Sequence, residues 1–172
     1  IGGSNMWTWQ FAKSLWISNE LDLHRFETMQ THYNLCYREE EREMFPFCKD
    51  QNISTLTYNP VAKGFLTGKY TRNGKNNSIR FKSDLGLTTK FFKSEDFDIL
   101  EVVIQIANEK DVKPAQIALA WSLEKNITSP IIGVTKISHV EEAVGSLNIK
   151  LTSDDIKRLE EPYQVQAVEH LS

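Results

Sequence analysis

Cysteine is scarce in this chain of 172 residues, represented only by Cys36 and Cys48. With no second pair, neither a disulfide framework nor a zinc site is expected, and both are read as reduced, structural thiols. His24, His32, His139 and His170 share no ligand spacing, which argues against a metal centre. Long hydrophobic runs are missing as well. The apolar stretch from Val102 to Ala107 is interrupted by Gln105 and falls far short of the roughly 20 residues that span a bilayer, so no membrane segment is expected. Charge of one sign is also lacking. Twenty basic against 23 acidic residues leave a net charge of −3, without the basic face that displaces counterions from nucleic acid. Such a composition predicts a cytoplasmic protein that handles small molecules.

A hydrophobic content of 40% over this length supports one core. No repeat, low-complexity block or linker divides residues 1–172, which read as a single, partial domain. The chain opens at Ile1 in what reads as the end of a strand, which predicts a native start upstream. Helical periodicity from Thr8 to Leu21 places Phe11, Ala12, Leu15 and Trp16 on one face. Strands are expected at Phe26–Gln30, Ile53–Tyr58 and Pro130–Val134. Between the first two, a helix is expected from Arg38 through Cys48, its charges at three-residue spacing forming a solvated face. Ser94 is placed as the cap of a further helix, and Pro114 as the first residue of another with Ile117, Ala120 and Trp121 inward. Ser138 to Glu141 spells a capping box, and Thr152 opens a last helix that Pro162 ends. Thr71 to Lys93 is polar, without either period, and reads as a long loop. Strands alternating with helices require a parallel sheet. Periodicity alone fits both an open doubly wound sheet and a barrel.

One stretch carries the strongest binding signal. After the β-branched run Ile53 to Thr57, the chain breaks at Tyr58-Asn59-Pro60 because proline forbids a ladder donor. Gly64 and Gly68 follow, with Lys63 and Lys69. Mobile backbone amides and positive charge at a strand's carboxyl end suit a phosphate. A P-loop is excluded by spacing, since only Phe65, Leu66 and Thr67 separate Gly64 from Gly68-Lys69, and Tyr70 stands in place of the metal-binding hydroxyl. Ligands in parallel sheets sit beyond the carboxyl ends of the strands. Here those ends carry Ser4-Asn5, Gln30, Tyr58-Asn59 and the stretch Gly133, Val134, Thr135, Lys136. Residue types alone favour helix caps, turn formers and a core aromatic at these positions.

Six ordered segments go further: Ile1-Gly2-Gly3-Ser4-Asn5, Gln30 to Leu35, Arg38 to Glu41, Tyr58-Asn59-Pro60, Gly64 to Tyr70 and Pro130 to Lys136. Together they resemble the second half of an aldo-keto reductase, most nearly the aryl-alcohol dehydrogenase branch. The resemblance implies an α/β fold, the C-terminal half of a (β/α)8 barrel whose usual length is about 250 residues or more. It also implies NADP(H)-dependent reduction of aldehydes or ketones, or oxidation of aryl alcohols. Under it, Ser4, Asn5 and Gln30 hold the nicotinamide carboxamide and Tyr58 stacks on the ring. The backbone through Asn59, Pro60, Val61, Lys63, Gly64, Leu66, Gly68 and Lys69 follows the pyrophosphate. Gly133, Thr135 and Lys136, with His139 and Glu142 on the next helix, face the adenosine 2′-phosphate. Three departures stand out: Asn59 replaces a more usual serine, His139 an Arg or Gln, and Ala143 an Asn.

The family's catalytic Asp, Tyr, Lys and His belong to the other half of the barrel, so no catalytic residue is expected in this chain. His32-Tyr33 matches a segment outside that set. Neither Ser4 nor Ser146 sits in a nucleophile elbow. The expectation is therefore a cofactor-binding half that acts on a small carbonyl or alcohol substrate with its missing half. The alternative is a truncated, non-catalytic protein that binds nucleotide or a partner. Half a barrel also implies unpaired edges and self-association.

Overall fold

A computed structural model describes residues 1–70, 72, 93–125 and 127–168. Apart from Arg72 and Lys93, the expected polar loop lies outside these residues. Four strands alternate with helices: β1 (Gly2–Ser4), α1 (Thr8–Glu20), β2 (Thr28–His32), α2 (Met44–Asp50), β3 (Ser54–Tyr58), α3 (Ser94–Glu109), α4 (Pro114–Glu124), β4 (Ser129–Ile131), α5 (Ile137–Gly145) and α6 (Ser153–Glu160). Short 3-10 turns occupy Glu39–Glu41, Ala62–Thr67 and Ser146–Asn148.

The sheet order is β1-β2-β3-β4, and every pair is parallel. Each strand thus lies beside the next in sequence. An open doubly wound sheet reverses its order at a switch point, whereas a barrel does not. The architecture is that of a partial (β/α)8 barrel, as expected.

Several boundaries differ from the sequence expectation. β2 runs two residues past Gln30, because its ladder with β3 continues to His32 opposite Tyr58. β4 stops at Ile131 rather than Val134, since its ladder to β3 ends with Tyr58. The helix expected from Arg38 is broken, and α2 begins only at Met44. Its charged run is not a solvated face: Glu39 and Glu40 are each only 4% exposed, although Glu39 does pair with Arg42 at 2.9 Å. Trp16 points outward at 60% exposure while Phe11 is fully buried, because it lies about 140° around the helix from Phe11. Lys93, not Ser94, caps α3, its N–H held by the Asp96 carboxylate at 3.1 Å. α5 begins at Ile137 with Lys136 as its cap, two residues too early for the Ser138 box to form. The Thr152 cap holds, exchanging hydrogen bonds of 3.1 and 2.8 Å with Asp155. Pro114 opens α4 as expected.

Two apolar clusters lie under the helices. The smaller joins Phe11 and Leu15 of α1 to Met29 of β2 and to Met44 and Cys48 of α2. It requires glycine at position 3, where an added Cβ would come within 2.8 Å of Met29 and 3.0 Å of Phe11. The larger cluster packs α3, α4 and α6 against the turn after β3, burying Phe65, Leu66, Leu100, Val103, Ile117, Trp121 and Leu159. Cys36 and Cys48 are free and buried, and burial pushes both thiols up, Cys48 to about 11. They are held as the protonated, unreactive form.

Candidate cofactor site

Register in a parallel sheet decides which side chains share a face, since partners across a ladder point the same way. The Met29 level faces the helices. The alternate level, facing away from them, aligns Ser4 with Gln30 and Gln30 with Leu56. Two residues further towards the carboxyl ends, the same face carries His32 beside Tyr58 and Tyr58 beside Ile131. Ser4, Gln30 and Tyr58 therefore stand on one surface that faces away from the described helices, near the ends where loops begin. Ser4 is exposed, and Gln30 and Tyr58 are half-buried. Asn5 adopts a left-handed backbone, φ 48°, and donates its N–H to the Gln30 carbonyl at 3.1 Å. That bond ties the β1 turn to the middle of β2.

The segment after Tyr58 is an unusual run of left-handed residues: Asn59 (φ 66°), Ala62 (49°), Lys63 (53°), Gly64 (93°) and Gly68 (78°). Such a conformation is disfavoured for side-chain-bearing residues. Burial on the core side holds it, because Ala62, Phe65 and Leu66 are fully buried. Internal bonds hold it too. Asn59 Oδ1 accepts the Lys63 N–H at 2.6 Å, and the Val61 carbonyl accepts from Gly64 at 2.9 Å and Leu66 at 3.3 Å. At Gly64 an added Cβ would meet nothing within 4 Å, so this turn presents open backbone outward while its side chains anchor inward. The expected amides of Lys63, Gly64 and Leu66 are thus engaged within the turn itself.

Beyond β4, Gly133, Val134, Thr135 and Lys136 are all exposed, and Lys136 caps the amino end of α5. A cation at a helix amino end is a poor electrostatic match to the helix alone and a good one to a shared anion. His139 is half-buried. The Glu142 carboxylate is engaged by Lys113, the cap of α4, and its carbonyl accepts from Gln116 at 3.0 Å.

One residue that sequence reasoning set aside, His32, is built into this surface. His32 stacks with Tyr37 (centroids 4.8 Å apart, planes at 12°) and with Tyr58 (5.3 Å, 15°). Its Nε2 lies 3.1 Å from Asn34 Nδ2 and 3.3 Å from Asn59 Nδ2. The signal available was the spacing Gln30-x-His32, which puts both side chains on one strand face. Among the described residues no group of three or more His, Cys, Asp or Glu could hold a metal, and no helix is long and apolar enough to cross a membrane.

These features fit a nicotinamide dinucleotide by the chemistry of the donor set. A carboxamide both donates and accepts, and Ser4 and Gln30 present a hydroxyl and an amide side by side.

Comparison with known proteins places the chain. The family model for the Aldo/keto reductase family matches residues 1–164. The chain is 37% identical over 171 residues to a versiconal hemiacetal acetate reductase of Aspergillus parasiticus, covering 98% of this chain and 49% of that protein. It is 38% identical over 163 residues to a protein of Schizosaccharomyces pombe named "Putative aryl-alcohol dehydrogenase", covering 95% and 49%. An aldo-keto reductase of Metarhizium robertsii is 35% identical over 172 residues, covering 98% and 45%. The chain thus spans about half the length of the curated relatives it matches. A match along nearly the whole chain, on a sequentially ordered parallel sheet, makes it a member of the aldo/keto reductase family of oxidoreductases.

Proposed function

We propose that this chain is the cofactor-binding half of an NADP(H)-dependent carbonyl reductase or aryl-alcohol dehydrogenase, working in the cytoplasm on a small carbonyl or alcohol substrate. The observation that carries the reading is the shared face of Ser4, Gln30 and Tyr58, with Ser4 and Tyr58 closing β1 and β3 and Gln30 two residues before the end of β2. When bound, the dinucleotide supplies the hydride exchanged with the substrate carbon.

In this reading Ser4, Asn5 and Gln30 orient the carboxamide, which fixes which face of the nicotinamide ring meets the substrate. Tyr58 offers the ring an aromatic surface. The turn from Asn59 to Lys69 carries the pyrophosphate, with Lys63 and Lys69 supplying charge and the Gly64 backbone allowing close approach. Because the amides of Lys63, Gly64 and Leu66 are engaged within the turn, its contribution is shape and charge rather than a cradle of three free N–H groups. Gly133, Thr135 and Lys136, backed by the α5 amino end and His139, receive the 2′-phosphate, which favours NADP over NAD. Glu142 acts there through Lys113, setting the electrostatics of the α4–α5 corner. No proton donor for the substrate oxygen is assigned in residues 1–172. That role falls to the complementary half of the barrel, and turnover requires both.

Fluorescence of NADPH titrated with the chain tests the cofactor reading, and aldehyde reduction with and without the complementary half tests the division of labour. Binding by the chain, with turnover only after the other half is added, is expected. Tight binding with no turnover in either case would instead favour a non-catalytic nucleotide-binding protein.

A further inference from the structure

We propose that His32 is a positioning residue of this cofactor site: its unprotonated Nε2 holds the side chain of Asn59, which holds the turn after β3, while its ring backs Tyr58. The inference rests on the cofactor reading given above and adds to it a residue that touches no cofactor.

The protonation state follows from the surrounding bonds. Asn34 Oδ1 accepts the Cys36 N–H at 2.8 Å, and its Nδ2 donates to the Asn59 carbonyl at 3.1 Å. Turning that amide around would set oxygen against oxygen and nitrogen against N–H, so its orientation is fixed. Asn59 is fixed in the same way, because its Oδ1 accepts the Lys63 N–H at 2.6 Å. Each amide therefore directs an NH2 group at His32 Nε2, from 3.1 and 3.3 Å. Two donors converging on one ring nitrogen require its lone pair, which places the imidazole proton on Nδ1 and leaves the ring neutral.

A proton arriving at Nε2 would face both NH2 groups. Asn59 cannot rotate to accept it without giving up the Lys63 N–H, and Lys63 sits in the left-handed run that most needs holding. The same proton would put a cation into the stack with Tyr37 and Tyr58. Among the described residues, the titratable groups stacked on His32 are the Tyr37 phenol from the turn after β2 and the Tyr58 phenol from β3, with Lys63 on the turn beyond. Acidification thus acts on the nicotinamide platform and the pyrophosphate turn together, through one ring.

The test is NADPH titration at steps from about pH 7.5 down to about pH 5 of the parent chain, His32→Phe and His32→Gln, because burial and two donors at Nε2 push protonation of the ring down. His32→Phe keeps a ring in the stack and loses the acceptor, and is expected to bind about fivefold more weakly at the higher pH. His32→Gln keeps an acceptor and is expected to bind more tightly than His32→Phe. The parent should weaken on acidification by a step that both variants lack. His139 is present in all three proteins, so the difference isolates His32. Equal affinities, or the same acid step in all three, would overturn the proposal. Nitrogen–proton NMR correlation on the ligand-free parent gives an independent reading. A proton on Nδ1 supports the network, and one on Nε2 overturns it. Should the parent bind no NADPH, the cofactor reading fails by itself, and the tautomer still decides the network.

Discussion

The Arg38 guanidinium lies 2.9 Å from the Glu160 carboxylate across 122 residues of chain. It sits over the rings of Trp121 (5.6 Å) and Tyr163 (5.3 Å) and is paired again with Glu41 at 2.8 Å. The turn after β2, helix α4 and the end of α6 are thus pinned through one side chain. Lys125 and Trp121 add further bonds to Glu160 and hold its carboxyl below the usual range, against the opposing effect of burial. With Arg38 only 12% exposed, Arg38→Met is expected to cost about 3 kcal/mol, leaving Glu160 and Glu41 short of a partner. Urea denaturation measures this, and a loss below about 1 kcal/mol would show the network to be dispensable.

Glu40 is 4% exposed, and burial, with the charge of Glu39, pushes its carboxyl up to about 7. A carboxyl raised in the folded state binds more protons there than in the unfolded chain. Its contribution to stability is complete below the unfolded value of about 4.5 and is lost as pH rises through about 7. Glu40→Gln removes the titration and should be the more stable protein at pH 8, by up to about 3 kcal/mol. Stability curves of both proteins against pH check the sign. A parent that gains stability from pH 5 to pH 7 relative to the variant would contradict it.

Thr31 and Thr57 are register partners on the helix-facing side of the sheet, and both hydroxyls are buried with no hydrogen-bond partner among the described residues. Valine keeps the shape and removes an unpaired polar atom. Thr31→Val and Thr57→Val are each expected to leave stability unchanged or raise it by about 1 kcal/mol, read as a higher melting temperature.

Helix α5 buries none of its residues, with Ile137 at 80% and Val144 at 57% exposure, and Ile131 at the neighbouring strand edge is 41% exposed. At the other edge Ile1 is 70% exposed. Open strand edges flanked by apolar surface associate. Sedimentation is expected to show concentration-dependent self-association that Ile137→Lys and Val144→Glu reduce. A monodisperse, cooperatively melting monomer would count against it.

The alternation of strands and helices was legible because its signals are local: the β-branched run at β3, Pro114 at one helix start and Thr152 at another. The face carrying Ser4, Gln30 and Tyr58 was legible only through resemblance, since residue types alone favoured caps and turns. What escaped depended on tertiary pairing. β2 reaches His32 because β3 offers partners that far, which no local pattern states. The run from Arg38 reads as a solvated face until Glu160, Trp121 and Tyr163, more than 80 residues away, turn out to enclose Arg38. His32, set aside because His32-Tyr33 matches a segment outside the catalytic set, meets two asparagine side chains whose orientations follow only from the folded turn.

A crystal structure of the chain with NADPH tests the central claim most directly. The account predicts the nicotinamide over Ser4 and Gln30 and against Tyr58, with the 2′-phosphate beside Lys136. Nucleotide bound elsewhere, or none at saturating concentration, would contradict it.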